Sequence, residues 1–186
     1  MKEWFENKKI AIIGNAESLF KTSYGVEIDS HDVVIRMNKA AMLYTHMDAE
    51  RSHGTRTDFW IVWNAIEYRN KIKDIPKHIK IMHMSGRIRN NLAGLRIDFL
   101  YPMEMYDILK KQAGVRQNPT TGLMMLDYID SCNPKLVSIY GFDWKDTPTF
   151  TDMNRKEEKT SGHNYDTEKE YCKTKFLSKP NYVLRK

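Results

Sequence analysis

Short apolar runs, each closed by glycine or polar residues, recur along the chain and predict strands alternating with helices. Ile10-Ala11-Ile12-Ile13 is rich in β-branched residues and ends at Gly14-Asn15, so residues 8–13 read as a first strand. Residues 33–36 read as a second, preceded by a polar turn over 29–32 and followed by Met37-Asn38. Residues 57–63, 79–83 and 136–140 have the same character, and 182–184 read as an edge strand. Helical segments fall between them. Ser18-Leu19 opens a short helix with serine as a cap, and residues 67–73 form a charged one. Pro102 opens another that runs through Lys110-Lys111 and ends at Gly114. Residues 120–130 place Leu123, Met124, Leu126 and Ile129 in the pattern of a buried helix, and 167–176 form the last helix. Residues 40–56 read as a loop with one helical segment. Residues 88–99 pack against the sheet, and 143–161 form a polar surface loop. Trp4 and Phe5 are packing anchors ahead of the first strand.

This alternation predicts one α/β domain over residues 1–186, with a mostly parallel central sheet covered on both faces. The first two strands end beside Gly14-Asn15 and Arg36-Met37-Asn38. Ligands of open α/β sheets bind outside such carboxyl ends.

Composition narrows the choice of partner only a little. Thirty Lys and Arg against 24 Asp and Glu give a formal charge of +6. That excess fits an anionic small ligand, a nucleic acid or an acidic surface, and equally an ordinary solubilising surface. Cys132 and Cys172 form no CxxC pair, and no His pair has HExxH spacing, so no metal site is expected. The charged start MKEWFENKK is unlike a secretory signal, and no apolar run approaches the roughly 20 residues that span a bilayer. A cytoplasmic protein is expected, peripheral at most to the inner membrane surface.

Four places carry candidate chemistry. Gly14-Asn15 lacks both the GxGxxG and GxxxxGKS/T fingerprints, so it reads either as a sharp turn or as a close backbone approach to a ligand. In Asn118-Pro119-Thr120-Thr121-Gly122, hydroxyls at a helix start suit a carboxylate or phosphate, and they suit simple capping equally well. His163 can take a proton near neutral pH, while Glu168 can orient it, pair with a cation or cap a helix. Arg36 can fork onto a carboxylate or phosphate. Aromatic residues beside basic ones would also permit RNA stacking, a weaker reading.

In order, these segments resemble the animal-type sialyltransferases, glycosyltransferase family 29. IAIIGNAESLFKTSYGVEIDSHDVVIRMNKA is similar to the large sialyl motif. NPTTGLMMLDYIDSCNPKLVSIYGF is similar to the small one, and SGHNYDTE to the very small one, with His163 and Glu168 at HxxxxE spacing. The resemblance implies a three-layer Rossmann-like sandwich of variant GT-A type. It implies inverting, metal-independent transfer of sialic acid, without a cofactor, from a CMP-linked donor to a glycan or lipooligosaccharide hydroxyl. His163 would be the base. Gly14, Asn15, Asn38, Thr120, Thr121 and Gly122 would hold the donor. A different CMP-activated acidic sugar and a noncatalytic nucleotide- or glycan-binding module remain as alternatives.

The chain departs from the family's pattern at two points. Ile10 stands where the large motif begins with a cysteine, so the family's disulfide to the position of Cys132 cannot form. His163-Asn164-Tyr165-Asp166 also resembles motif III, so one histidine answers to two motifs, and the resemblance implies that the family's second donor-phosphate contact is either lost or supplied elsewhere.

Overall fold

A computed structural model describes residues 2–39, 41, 49–85, 92–149 and 163–185. Seven strands are β1 (Lys9–Ile13), β2 (Val33–Met37), β3 (Phe59–Val62), β4 (Lys80–His83), β5 (Phe99–Leu100), β6 (Leu136–Tyr140) and β7 (Tyr182–Arg185). They form one sheet in the order β5-β4-β3-β2-β1-β6-β7, and every pairing is parallel. The helices are α1 (Gly25–Asp29), α2 (Glu50–His53), α3 (Arg69–Ile72), α4 (Met103–Gln112), α5 (Thr121–Ser131) and α6 (Tyr165–Lys175). The mostly parallel sheet between helical layers agrees with the expected architecture.

The two-residue period of a strand explains the layering. Ile10 and Ile12 of β1, with Val33 and Ile35 of β2, face the main core, where Leu123, Met124 and Leu126 of α5 also lie. Their neighbours Ala11, Ile13 and Val34 face a second cluster with Ile28 and Leu19. Trp60, Val62 and Ile81 face a third, with Tyr68 and Ile72. Phe5 is fully buried in the main core, its ring centroid 4.8 Å from that of Phe59.

Acidic residues tie the amino ends of the strands. Asp32 accepts the Lys9 amide at 2.8 Å, Asp58 accepts the Val34 amide at 2.8 Å, and Asp98 accepts the Ile81 amide at 2.9 Å. In each case the carboxylate just before one strand closes the start of its neighbour in the sheet. The hydrogen bond from Lys9 is the chief cause that holds the Asp32 carboxyl below its usual range.

Several expectations change in detail. Ser18 lies inside a 3-10 turn, Glu17–Lys21, whose cap is Ala16, so it is no helix cap. Pro102 is the cap of α4, not its first helical residue. Phe99-Leu100 is a strand that the sequence pattern misses, because two residues give no period to read. Leu92, Leu95 and Ile97 do pack against the third cluster. Residues 143–149 are a half-buried turn against the residues after β1, not a plain surface loop; 150–161 lie outside the described residues, as do 42–48 and 88–91. Arg36 is fully buried on the face away from the main core. Its Nε donates to the Arg56 carbonyl (2.9 Å) and Thr57 hydroxyl (3.0 Å), and its Nη2 to the His53 carbonyl (2.7 Å). It serves the scaffold and does not line the cavity described next.

Candidate functional site

The sheet order reverses at β1. Strands β2 to β5 are laid down on one side of it, and β6 and β7 on the other. At such a switch point the loops leaving two adjacent strands diverge and open a crevice. Here the crevice is a cavity of about 520 Å³. Its wall takes Gly14, Asn15, Asn38, Thr120, Thr121, Gly122 and His163 from segments far apart in sequence.

The ends of β1 and β6 run almost in contact. The Gly14 amide donates to the Tyr140 carbonyl at 2.7 Å, and the Ala16 amide to the Gly141 carbonyl at 3.1 Å. A Cβ on Gly14 would stand 2.3 Å from the Gly141 oxygen and 2.7 Å from the Phe142 ring. The glycine is therefore required by this approach, whatever binds above it. Asn15 follows, and its side-chain oxygen is buried with no hydrogen-bond partner among the described residues. An unpaired buried acceptor is costly and calls for a ligand or water donor.

Asn38 is spent differently. It has a left-handed backbone (φ 48°), which asparagine tolerates better than most residues. Its side-chain oxygen accepts the Trp63 amide at 2.9 Å, and its amide nitrogen reaches the Thr121 hydroxyl at 3.4 Å. Asn38 thus links the ends of β2 and β3 to the start of α5.

Both readings of the double-threonine segment find support in the geometry. Thr120 caps α5, accepting the Leu123 amide at 3.1 Å, and its carbonyl accepts the Met124 amide. The amides of Thr121 and Gly122 have no acceptor among the described residues and lie at the cavity wall.

Residues just before and within α6 clasp that segment twice. His163 Nδ1 lies 2.7 Å from the Asn118 carbonyl oxygen. A carbonyl only accepts, so Nδ1 carries the proton and, in the neutral ring, Nε2 holds the lone pair. Among the described residues Glu168 makes no hydrogen bond to His163. Its two oxygens accept the Thr120 amide (2.8 Å) and hydroxyl (2.6 Å). Of the three roles open to Glu168, the structure selects support of the α5 cap. Glu168 is 1 % exposed, and burial pushes its carboxyl up to about 7 against the opposing pull of the two Thr120 hydrogen bonds. One turn farther along, Cys172 is buried and its thiol is pushed up to about 12 by burial, so it is no nucleophile.

The wall also contains residues that the motifs do not single out. Trp63, Asn64, Glu67 and Tyr68 come from the end of β3, and Phe142, Trp144 and Lys145 from the turn after β6. Phe142 is the last residue of the small-motif segment; for the others the only sequence signal was position, beyond strand ends. Among the described residues no group of three or more His, Cys, Asp or Glu is placed to hold a metal ion, and no helix is long and apolar enough to cross a membrane.

Comparison with known proteins gives a consistent picture. Residues 5–90 match the family model of glycosyltransferase family 29 (sialyltransferase); the segment from Asn118 to Glu168 lies outside that match. Over 56 residues the chain is 43% identical to human CMP-N-acetylneuraminate-beta-galactosamide-alpha-2,3-sialyltransferase 1, a stretch that is 30% of this chain and 15% of that protein. Over 65 residues it is 40% identical to sialyltransferase-like protein 1 of Arabidopsis thaliana, covering 35% of this chain and 13% of that one. The matched stretches are thus a small part of each relative's length. A mammalian sialyltransferase in complex with Gal-beta-1-3GalNAc-ortho-nitrophenol superposes on the whole chain with TM-score 0.68, 19% identity and 71% of its own length covered. The sialyltransferase CstII from Campylobacter jejuni, in complex with cytidine-5'-monophosphate, gives TM-score 0.51 at 15% identity, covering 91% of this chain and 76% of that one. Residues 5–90 are thus similar in sequence to glycosyltransferase family 29, and the chain shares its fold with these solved sialyltransferases.

Proposed function

We propose, from its likeness to glycosyltransferase family 29, that this chain transfers sialic acid or a related acidic sugar from a CMP-linked donor to a glycan hydroxyl. The observation that carries the reading is the fixed ring of His163, bonded through Nδ1 to the Asn118 carbonyl at 2.7 Å on the wall of a cavity at the switch point.

A base for this reaction needs a lone pair aimed at the acceptor hydroxyl. Nε2 supplies it when Nδ1 is held protonated. The hydroxyl oxygen attacks the anomeric carbon as Nε2 takes its proton, and the bond to the CMP phosphate breaks on the opposite face. Charge that gathers on the departing phosphate needs donors already in place. The Thr121 and Gly122 amides at the start of α5 are suited to that task. Asn15 offers its unpaired oxygen to a donor group of the nucleotide. In this scheme Glu168 is a positioning residue. It holds Thr120 while His163 holds Asn118, so that α5 and the base are set against each other. No step draws on a metal or cofactor.

The test is incubation with CMP-sialic acid and a panel of galactosyl and lipooligosaccharide acceptors, reading CMP release and product mass. His163→Ala should keep CMP binding and lose at least about a hundredfold in transfer. Unchanged transfer would remove His163 as the base. CMP binding without transfer to any acceptor would leave a nucleotide-binding module.

A further inference from the structure

The start of α5 faces two anions at once when a donor is bound. Glu168, 1 % exposed, directs both carboxyl oxygens at Thr120, accepting its amide at 2.8 Å and its hydroxyl at 2.6 Å. The next two amides, of Thr121 and Gly122, meet no acceptor among the described residues and line the cavity together with Glu168. Neither partner has room to withdraw. A Cβ on Gly122 would stand 2.7 Å from the Phe142 ring, so the first turn of α5 is packed against that ring. Glu168 is fixed from α6, whose cap Asn164 accepts the Thr167 amide at 3.2 Å. One negative charge at a helix start is favourable. A phosphate at the Thr121 and Gly122 amides adds a second beside the first, and like charges sharing a site repel.

Protonation of Glu168 removes the conflict and keeps the clasp. Oε1 still accepts the Thr120 amide, so the proton goes to Oε2 and is donated to the Thr120 oxygen. That oxygen goes on accepting the Leu123 amide at 3.1 Å, and its own hydrogen is released for another acceptor. We propose that the CMP-linked donor binds together with one proton from solvent, taken up by the Glu168 carboxyl, so that pH sets donor affinity. This rests on the transferase reading and adds a regulation of the same site. Burial, which pushes the carboxyl up to about 7, puts the transition in the neutral range, and no charged neighbour is among the causes of that value. Glu168 shares the wall with His163 and Tyr165, with Asp143 and Lys145 after β6, and with Lys39, Glu67 and Tyr68 after β2 and β3. The first turn of α5 brings no acidic residue, and Cys172 stays a neutral thiol. Among these side-chain types histidine is the one that ordinarily titrates near neutral pH, so His163 enters the test.

The experiment is calorimetric titration of the full chain with CMP-sialic acid, without acceptor, in pairs of buffers of different ionisation enthalpy from about pH 6 to about pH 8.5. The charge of this ligand is constant over that range, and uncharged cytidine is the control. Wild type should take up a proton on binding the donor above about pH 7. It should bind about tenfold more weakly at the alkaline end than at the acid end, since a carboxyl raised by one pH unit in the complex is worth tenfold. Cytidine affinity should stay level. Glu168→Gln imitates the protonated carboxyl and should bind the donor equally well at both ends, with no proton uptake, while His163→Gln should retain the uptake. Infrared difference spectra of wild type at about pH 7.5 read the same event without a variant, as growth of the protonated-carboxyl band when donor is added. Uptake that survives in Glu168→Gln and vanishes in His163→Gln assigns the proton to the histidine and overturns the proposal. Donor binding by wild type without uptake, or without growth of that band, also overturns it and leaves the transferase reading in place. Wild type that binds no CMP-sialic acid at any pH removes that reading, and the inference with it.

Discussion

Glu168→Gln separates the charge of the buried carboxyl from its shape. Glutamine can accept the Thr120 amide through its oxygen and donate to the Thr120 hydroxyl through its nitrogen, so the clasp survives. What disappears is an ionisation that burial opposes. The folded-state value of about 7 lies above the ordinary glutamate value of 4.5. The folded state therefore holds its proton over a range where the unfolded chain has lost it. The contribution to stability is complete below about pH 4.5 and is lost as pH rises through about 7, a total of about 3 kcal/mol at 1.36 kcal/mol per unit. His53 pulls the other way. Burial, aided by Arg36, lowers its value to about 4 from 6.5, so its contribution is present above pH 6.5 and lost as pH falls through about 4. The two slopes oppose each other across the shared range and flatten the wild-type curve. Urea unfolding from pH 4.5 to 8 should show the variant gaining on wild type by about 3 kcal/mol as pH rises. A difference that stays constant with pH would refute the assignment of a buried, proton-holding carboxyl at Glu168.

Three further outcomes follow from the same geometry. Gly14→Ala should cost about 3 kcal/mol or more in urea unfolding, because its Cβ would meet the Gly141 backbone at 2.3 Å and backbone cannot swing aside. Asn38→Gly should lose only the side-chain bonds to Trp63 and Thr121, whereas Asn38→Ala also bears the left-handed backbone and should be about 1 kcal/mol less stable than the glycine variant by the same measurement. Cys132 and Cys172 are buried thiols, so a thiol reagent at pH 8 should label neither in the native protein and both in denaturant.

The sequence by itself determined the layers. Apolar β-branched runs such as Ile10 to Ile13 have side chains on both faces, and a strand buried on both faces belongs in a parallel sheet under helices. The buried helix after Thr120 was legible from the spacing of Leu123, Met124, Leu126 and Ile129, because helical period and burial are local properties. The short motifs also named part of the cavity wall, Gly14, Asn15, Asn38, Thr120 to Gly122 and His163, but not Trp63 or Glu67. Their roles were decided by tertiary structure alone. Asn15 and Asn38 look alike in sequence, yet one oxygen lacks a partner among the described residues and the other is bound to Trp63. Glu168 was open to three uses until a residue 48 positions away took both its oxygens. Lys145 carried no signal, since a left-handed backbone at lysine goes against its local preference and is imposed by Asp143, Ser18 and the packed Trp144. Hydrogen-bond partners and strain depend on which segments meet in space. Strand order sets that meeting, and no local pattern encodes it.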